Sequence, residues 1–321
     1  MPHTKWLRGW LTLALCALLL EGCMVPPEAA VTPSAAPDAL PLPQSEAVRT
    51  HDAVSTLWFR YLDEPRLIAE TRVIAASPTV SYEQALLDAL IAGSAHADSL
   101  FAPGVRVLSV YRQNRRLFVT LSTEIMDAFP DEPAAWQSDP AWQSEVPLRR
   151  MLAMQSIVAT VTENCDVDSV VILVEQTATP LDSLRLRQGY YRLNSGDDMA
   201  LADELTRDDA WLLTPGGTLK VILDCWQSRD FARLYRYADT DLDEADFLTG
   251  IAGMPHLLRA DVTGHVSINA AGDQAVFTAD LTLLDGSAER SCESVTLRLT
   301  RRDGLWRIPL EQLTRWKEAL P

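Results

Sequence analysis

Apolar residues recur along this chain with two different periods, and the change from one to the other marks out its elements. From Ser81 to Gly93, residues Ala85, Leu86, Ala89 and Leu90 fall at helical spacing. Ser81 with Gln84 three places on is a capping box that satisfies orphan amide donors, and Gly93 suits the left-handed turn that ends a helix. The period then shortens to two. Val105, Val107 and Ser109 share one side, then Leu117, Val119 and Leu121, with Gln113-Asn114 as the turn between them. An aromatic strand, Leu57–Leu62, precedes this unit. A second helix follows it, with Pro147 placed in its first turn and a stripe of Leu148, Met151, Leu152 and Val158 or Ala159, and then a strand at Val170–Glu175.

The pattern beyond residue 176 is less regular. Leu184–Leu193 reads as an extra extended segment of the first domain, and Asn194–Asp209 as an acidic linker with a short helix around Ala200–Leu205. Thr214-Pro-Gly-Gly217 is a strong boundary signal. After it, Leu219, Ile222, Leu223 and Trp226 lie on one side of a helix, and Phe231–Tyr237 continues the apolar pattern. Strands are predicted at Val262–Asn269, Gln274–Leu284, Glu293–Arg301 and Leu305–Pro309, separated by Gly-containing turns. The expected class is α+β, in two globular domains at 54–193 and 218–321 joined by a linker at 194–217.

Several of these segments carry a family resemblance in order and spacing. The strand Leu57–Leu62, the run Tyr-Glu-Gln-Ala-Leu-Leu-Asp-Ala-Leu-Ile-Ala-Gly at Tyr82–Gly93, Pro103–Val110, the Val-Thr-Leu-Ser strand end at Val119–Ser122, Ile157–Glu163 and Val170–Glu175 together resemble the sporulation and spore germination (GerMN) domain. That resemblance implies a non-enzymatic envelope module of α/β build, similar to ring-building folds used for protein assembly. The C-terminal order of a helical start, hairpin strands and a closing Asp-Gly-Leu-Trp-Arg-Ile-Pro resembles the NTF2-like, cystatin-like cone, a helix-plus-curved-antiparallel-sheet fold. Such a cone either holds a ligand or serves as a bare association module, and fold alone does not choose.

The N-terminus changes the picture from fold to location. Lys5 and Arg8 precede an apolar run, Leu11–Leu20, too short to span a bilayer comfortably, which reads as a signal peptide over 1–22. Leu20-Glu21-Gly22-Cys23 looks like a bacterial lipobox with Cys23 as the lipidated residue, although Glu21 departs from the small or neutral residue usual there. A Pro/Ala-rich stretch over 23–53 reads as a disordered tether. The chain carries a formal charge of −16, and losing Lys5, Arg8 and Glu21 takes it to about −17. Such acidity excludes nucleic acid as a partner and makes anionic headgroups repulsive, so attachment to a membrane calls for a covalent lipid anchor.

Candidate chemistry is sparse. There is no HExxH, phosphate loop, GxGxxG, nucleophile elbow or CxxC, and Ser94 and His96 read as polar loop groups, so no catalytic residue, metal site or cofactor is assigned. Asp239–Asp246 spaces its carboxylates alternately, but Glu244 and Gly250 stand where a calcium loop needs a sharp turn and a bidentate ligand. Trp136 and Trp142, in a repeated Ala-Trp-Gln-Ser, either contact a partner or cover an edge of the domain's own core. Trp226, Phe231 and Trp306 are the candidate lining of a pocket in the cone, and Cys225 with Cys292 the candidate disulfide, leaving Cys165 over. Two functions remain open. One is an extracytoplasmic, membrane-anchored scaffold that binds an envelope protein or peptidoglycan, with homo-oligomers compatible. The other is a lipoprotein whose cone holds a small molecule or cell-wall fragment.

Overall fold

The computed structural model describes residues 51–77, 79–95, 97, 99–175, 183–191, 200–286 and 288–318. The signal peptide, Cys23 and the tether up to residue 50 lie outside these, as does His96. The chain is α+β. Strands β1 (His51–Arg60) and β2 (Leu67–Ala76) pair antiparallel through ten residues without a register break. Helix α1 (Tyr82–Ile91) starts on the Ser81 hydroxyl, which accepts from the Gln84 amide at 3.2 Å, and ends at Gly93, whose amide donates to Leu90 O at 3.0 Å and whose φ of +86° turns the chain out of the helix. β3 (Val107–Gln113) and β4 (Arg116–Leu121) form a hairpin turning at Asn114.

A long helix, α2 (Pro140–Asn164), then crosses over so that β5 (Ser169–Glu175) lies parallel to β4. β6 (Ser183–Arg185) and β7 (Leu205–Thr206) both add antiparallel to β5. The first core joins Leu57, Leu86, Leu90, Leu117, Leu152 and Val170.

A second core begins at Leu213. It is built from helices α3 (Pro215–Ser228), α4 (Phe231–Tyr235), α5 (Glu244–Ile251) and α6 (Leu310–Glu318) with an antiparallel sheet. That sheet runs β8 (Ala238–Asp239), β12 (Leu305–Pro309), β11 (Ala288–Arg302), β10 (Gln274–Asp285), β9 (His256–Ile268), with β8 parallel to β12. Among the described residues no helix is long and apolar enough to cross a membrane.

Several expectations are corrected. The strand that opens the first domain starts at His51, inside the expected tether. α2 begins seven residues before Pro147, because Asp139 accepts from the Ala141 amide and Pro140 occupies the first turn; Pro147 is therefore interior. Trp142 consequently sits on a helix and not on a loop. The expected helix at Ala200–Leu205 is instead a bridge from Leu201 to Arg187 followed by β7. The 194–217 linker is thus part of the folded body where it is described. Leu205 and Leu212 belong to the first core, and Thr214-Pro-Gly-Gly is the capped start of α3.

One polar ladder explains why β1 can lie beside α2. Ser156, Thr160 and Asn164 recur every four residues and so share a face of α2. Ser156 Oγ donates to Trp58 O at 2.6 Å, and Thr160 Oγ1 accepts from the Trp58 amide at 3.2 Å. Asn164 accepts from the Thr56 amide at 2.9 Å and donates to Thr56 O at 2.7 Å. At Thr56 and Trp58 the edge of β1 that β2 does not pair is therefore satisfied by a helix's side chains. Replacing Thr160, which is fully buried, by the isosteric Val leaves the Trp58 amide unpaired. Thr160→Val is expected to lower unfolding free energy by about 1–3 kcal/mol. Urea denaturation checks this against Thr162→Val, whose hydroxyl bonds only within its own helix and whose loss should cost less.

Candidate functional site

The residues that bring most chemistry together are on the tip of the β1–β2 hairpin, where the two cores meet. Arg60 is nearly buried. Its guanidinium donates to Glu64 O and Asp63 O, both at 3.1 Å, and pairs with the Glu145 carboxylate of α2. The hairpin tip is thereby held to the first domain. On the other side Glu64, 4% exposed, accepts from Arg233 of α4 at 2.8 Å and 3.1 Å, while Arg236 pairs with Asp63 at 2.5 Å. Tyr61 donates to Arg236 O at 3.1 Å, and its ring lies 5.6 Å from that of Tyr237. Burial raises both phenols above their ordinary range, so they act as neutral groups. Leu213 N–H donates to Leu67 O at 2.8 Å, and Ile68 packs on the second core. Gly304, at φ +82°, presses so closely that a Cβ there would lie 2.6 Å from Ala69 O.

Several clefts open around the described residues. One of about 780 Å³ lies along the seam, bordered by Leu62, Thr71, Ser94, Asp273, Arg301 and Gly304. A second, of about 650 Å³, is lined by Asp63, Glu64, Asp230, Arg233, Arg236 and Glu244, whose hairpin carboxylates are already paired with the arginines. A third of about 650 Å³ sits beyond the C-terminal ends of β4 and β5, with Met126, Arg150, Leu186, Tyr190 and Leu201 on its walls. Among the described residues no group of three or more His, Cys, Asp or Glu is arranged to hold a metal ion. Asp243 caps α5, and Asp239 pairs with Arg302 and accepts from Thr300, which are structural tasks.

The structure separates the other candidate residues. Trp136, on a single 3-10 turn, and Trp142 are half-buried, with Arg150 at 5.8 Å from the first ring and Arg149 at 5.2 Å from the second. Both indoles fold back on α2. Trp226 is fully buried, donates to Pro255 O and stacks on Trp316 at 4.6 Å, within the second core. Trp306 is also buried, and Phe231 lies under Arg229. Trp226 and Trp306 are thus packed into the second core with Phe231 against it, and none of the three lines the clefts described above. Cys165, Cys225 and Cys292 are free thiols, which corrects the expected Cys225–Cys292 bridge. α3 packs on β9 and β12, whereas Cys292 lies on β11, whose neighbours are β10 and β12; at the level of Cys292 the partner is Leu281 of β10.

Sequence reasoning missed Arg60 and Glu64 and their respective ion-pair partners, Glu145 and Arg233. The available signal was the unusual charge density of Arg-Tyr-Leu-Asp-Glu-Pro-Arg between two apolar strands. Ionisation at the seam gives a test. Burial pushes the Glu145 carboxyl up, but hydrogen bonds from Arg60 and Arg149 outweigh it and leave the group below its ordinary range. A depressed folded value means that the pair stabilises above the unfolded glutamate range, about pH 4.3, and that this is lost as pH falls through the lower folded value. Glu145→Gln should therefore destabilise the protein at neutral pH, and the gap to wild type should close towards pH 3 in urea titrations. The thiols give another. Burial pushes Cys165 up to about 11 and Cys225 up to about 12. Both should resist a thiol reagent at pH 8 until urea is added, and reductant should leave the melting temperature unchanged.

Residues 58–179 match the Germane family model, described as sporulation and spore germination. No curated protein matches this chain. Among solved structures, the chain is similar to the tandem GerMN domains of the sporulation protein GerM from Bacillus subtilis, at 14% identity and a TM-score of 0.31, over 53% of this chain and 50% of that one. The chain thus spans half the length of that structure. It is similar to a candidate lipoprotein from Clostridium perfringens at 18% identity, TM-score 0.26, over 50% and 89% of the two chains. A SEC-C motif containing protein from Rhodopseudomonas palustris aligns at 14% identity, TM-score 0.24, over 30% and 76%. The segment that matches the sporulation and spore germination family model thus runs from within β1 to just past β5 and takes in α1 and α2.

Proposed function

We propose that this chain is an extracytoplasmic lipoprotein, held to the membrane through Cys23, that acts as an interaction scaffold in the cell envelope in connection with sporulation or germination. The observation that carries the reading is the Germane match over 58–179, downstream of a basic start, a short apolar run and Leu-Glu-Gly-Cys. The physical build supports it. Hairpin, α2 and α4 are tied by charge-assisted hydrogen bonds at a seam whose carboxylates are already paired, which suits a body that presents surfaces. An acidic chain of this kind needs acyl chains to stay beside an anionic bilayer.

The test is membrane partitioning and in-cell crosslinking of wild type beside Cys23→Ala. Wild type should incorporate a fatty-acid label, sediment with membranes and crosslink to one dominant envelope protein. Cys23→Ala should lose the label and move to the soluble exported fraction. Wild-type protein found in the cytosol, or membrane recovery unaltered by the substitution, would overturn the anchor. Recovery of no partner, together with thermal stabilisation by a muropeptide, would overturn the scaffold in favour of ligand binding.

A further inference from the structure

Among the described residues, one strand edge of the hairpin that builds the seam has no strand partner. The α2 ladder bonds the N–H and C=O groups of Thr56 and Trp58 on the side away from β2. Thr56 registers with Thr71 and Trp58 with Ala69, so these are non-hydrogen-bonded pairs. It follows that Ala69, Thr71, Val73 and Ala75 turn their own N–H and C=O groups away from β1. Leu67, in the same alternation, already accepts from Leu213 on that side. Gly304 closes the edge at Ala69 O. From Thr71 to Ala75 no described residue bonds it, and the 780 Å³ cleft keeps the space beside Thr71 open.

Edges of this kind are normally blunted. In the sheet of the second core, β8 is two residues long, and β9 is broken by two register shifts and by Gly264 at φ +80°. β2 has neither device, and it carries no Lys or Pro. Its outer face is also apolar and bare at one place. Val54 and Val73 are direct cross-strand partners, exposed at 75% and 66%.

From this we infer that β2 pairs with β2 of a second copy of this chain, antiparallel about a twofold axis at Val73. The register follows from the residues. A pivot at Val73 brings all three open residues, Thr71, Val73 and Ala75, opposite outward-facing groups of the second copy, whereas a pivot at Arg72 or Ile74 uses only two of them, and at Arg72 would also set two arginines opposite each other. A pivot at Thr71 would need Leu67 and Ala69, whose edge is taken by Leu213 and Gly304. With Val73 at the axis, Thr71 lies opposite Ala75 of the second copy, Arg72 opposite Ile74 and Glu70 opposite Ala76, so no like charges stand directly opposite. The two Arg72 side chains, diagonal neighbours, are each paired with the Glu70 of their own strand at 2.6 Å. The two Val54–Val73 pairs become one stripe of four valines across a continuous sheet, with about six new ladder hydrogen bonds. The net charge of −16 on each copy opposes association at long range, but salt screens it beyond about 8 Å. The inference goes beyond the scaffold reading and does not depend on the anchor.

Sedimentation equilibrium of the purified full chain tests it, with three variants. Wild type should show a reversible monomer–dimer equilibrium. Val73→Lys places two like charges at the axis and should weaken the dimer by roughly tenfold or more. Val73→Cys should oxidise to a covalent dimer, while Val54→Cys, equally exposed but one strand from the axis, should not. Both valines point to solvent, so circular dichroism and urea midpoints of the variants should stay near wild type. A wild type that remains monomeric, a dimer indifferent to Val73→Lys, or equal crosslinking at positions 54 and 73 would each overturn the proposal. So would a monomer that uses Thr71–Ala75 to hold a different protein.

Discussion

A strand with partners on one side only has a row of backbone groups to satisfy, and in this protein the answer for β1 is a helix. Ser156, Thr160 and Asn164 supply from side chains what a neighbouring strand would supply from its backbone. Because the geometry is fixed by a four-residue repeat, it sets both the depth and the rotation of α2 against the hairpin. The position of Arg60 beside Glu145 then follows, and so does the direction in which the hairpin tip projects.

The tip is where the two cores become one object. Glu64 is an acid held almost out of water, and an unpaired carboxylate there would be costly. Arg233 makes the burial tolerable, with the Arg236 guanidinium 3.6 Å from the same carboxylate. A close approach at Gly304 removes the slack that a flexible linker between domains would otherwise leave.

Sequence periodicity carried much of this where one face of an element is wet and the other dry. α1 with its Ser81 cap, the hairpin turning at Asn114, and the helix holding Leu219, Ile222 and Trp226 are of that kind. Periodicity was silent where polar groups do the packing. The ladder on α2 reads as three interior polar residues in an apolar stripe, which looks like a weakness until β1 is placed beside it. Asp139 and Pro140 moved a helix start because a local cap outweighs the proline that follows seven residues later. Leu205 and Leu212 looked like linker because their acidic neighbours hid two isolated contacts with a distant core. Cysteine spacing could not tell a bridge from two buried thiols, since that depends on which strands lie between them.

The seam also imposes an order in time. Glu64 and Arg233 are 169 positions apart, and Trp58 waits 102 residues for Thr160. Emerging early from the ribosome or a translocation channel, the hairpin has its acid still hydrated and one backbone edge still wet. Non-local closure of this length is slow. The leading part of this polypeptide must therefore stay uncommitted until nearly three quarters of it has been delivered, which makes its early life a matter of protection as much as of folding.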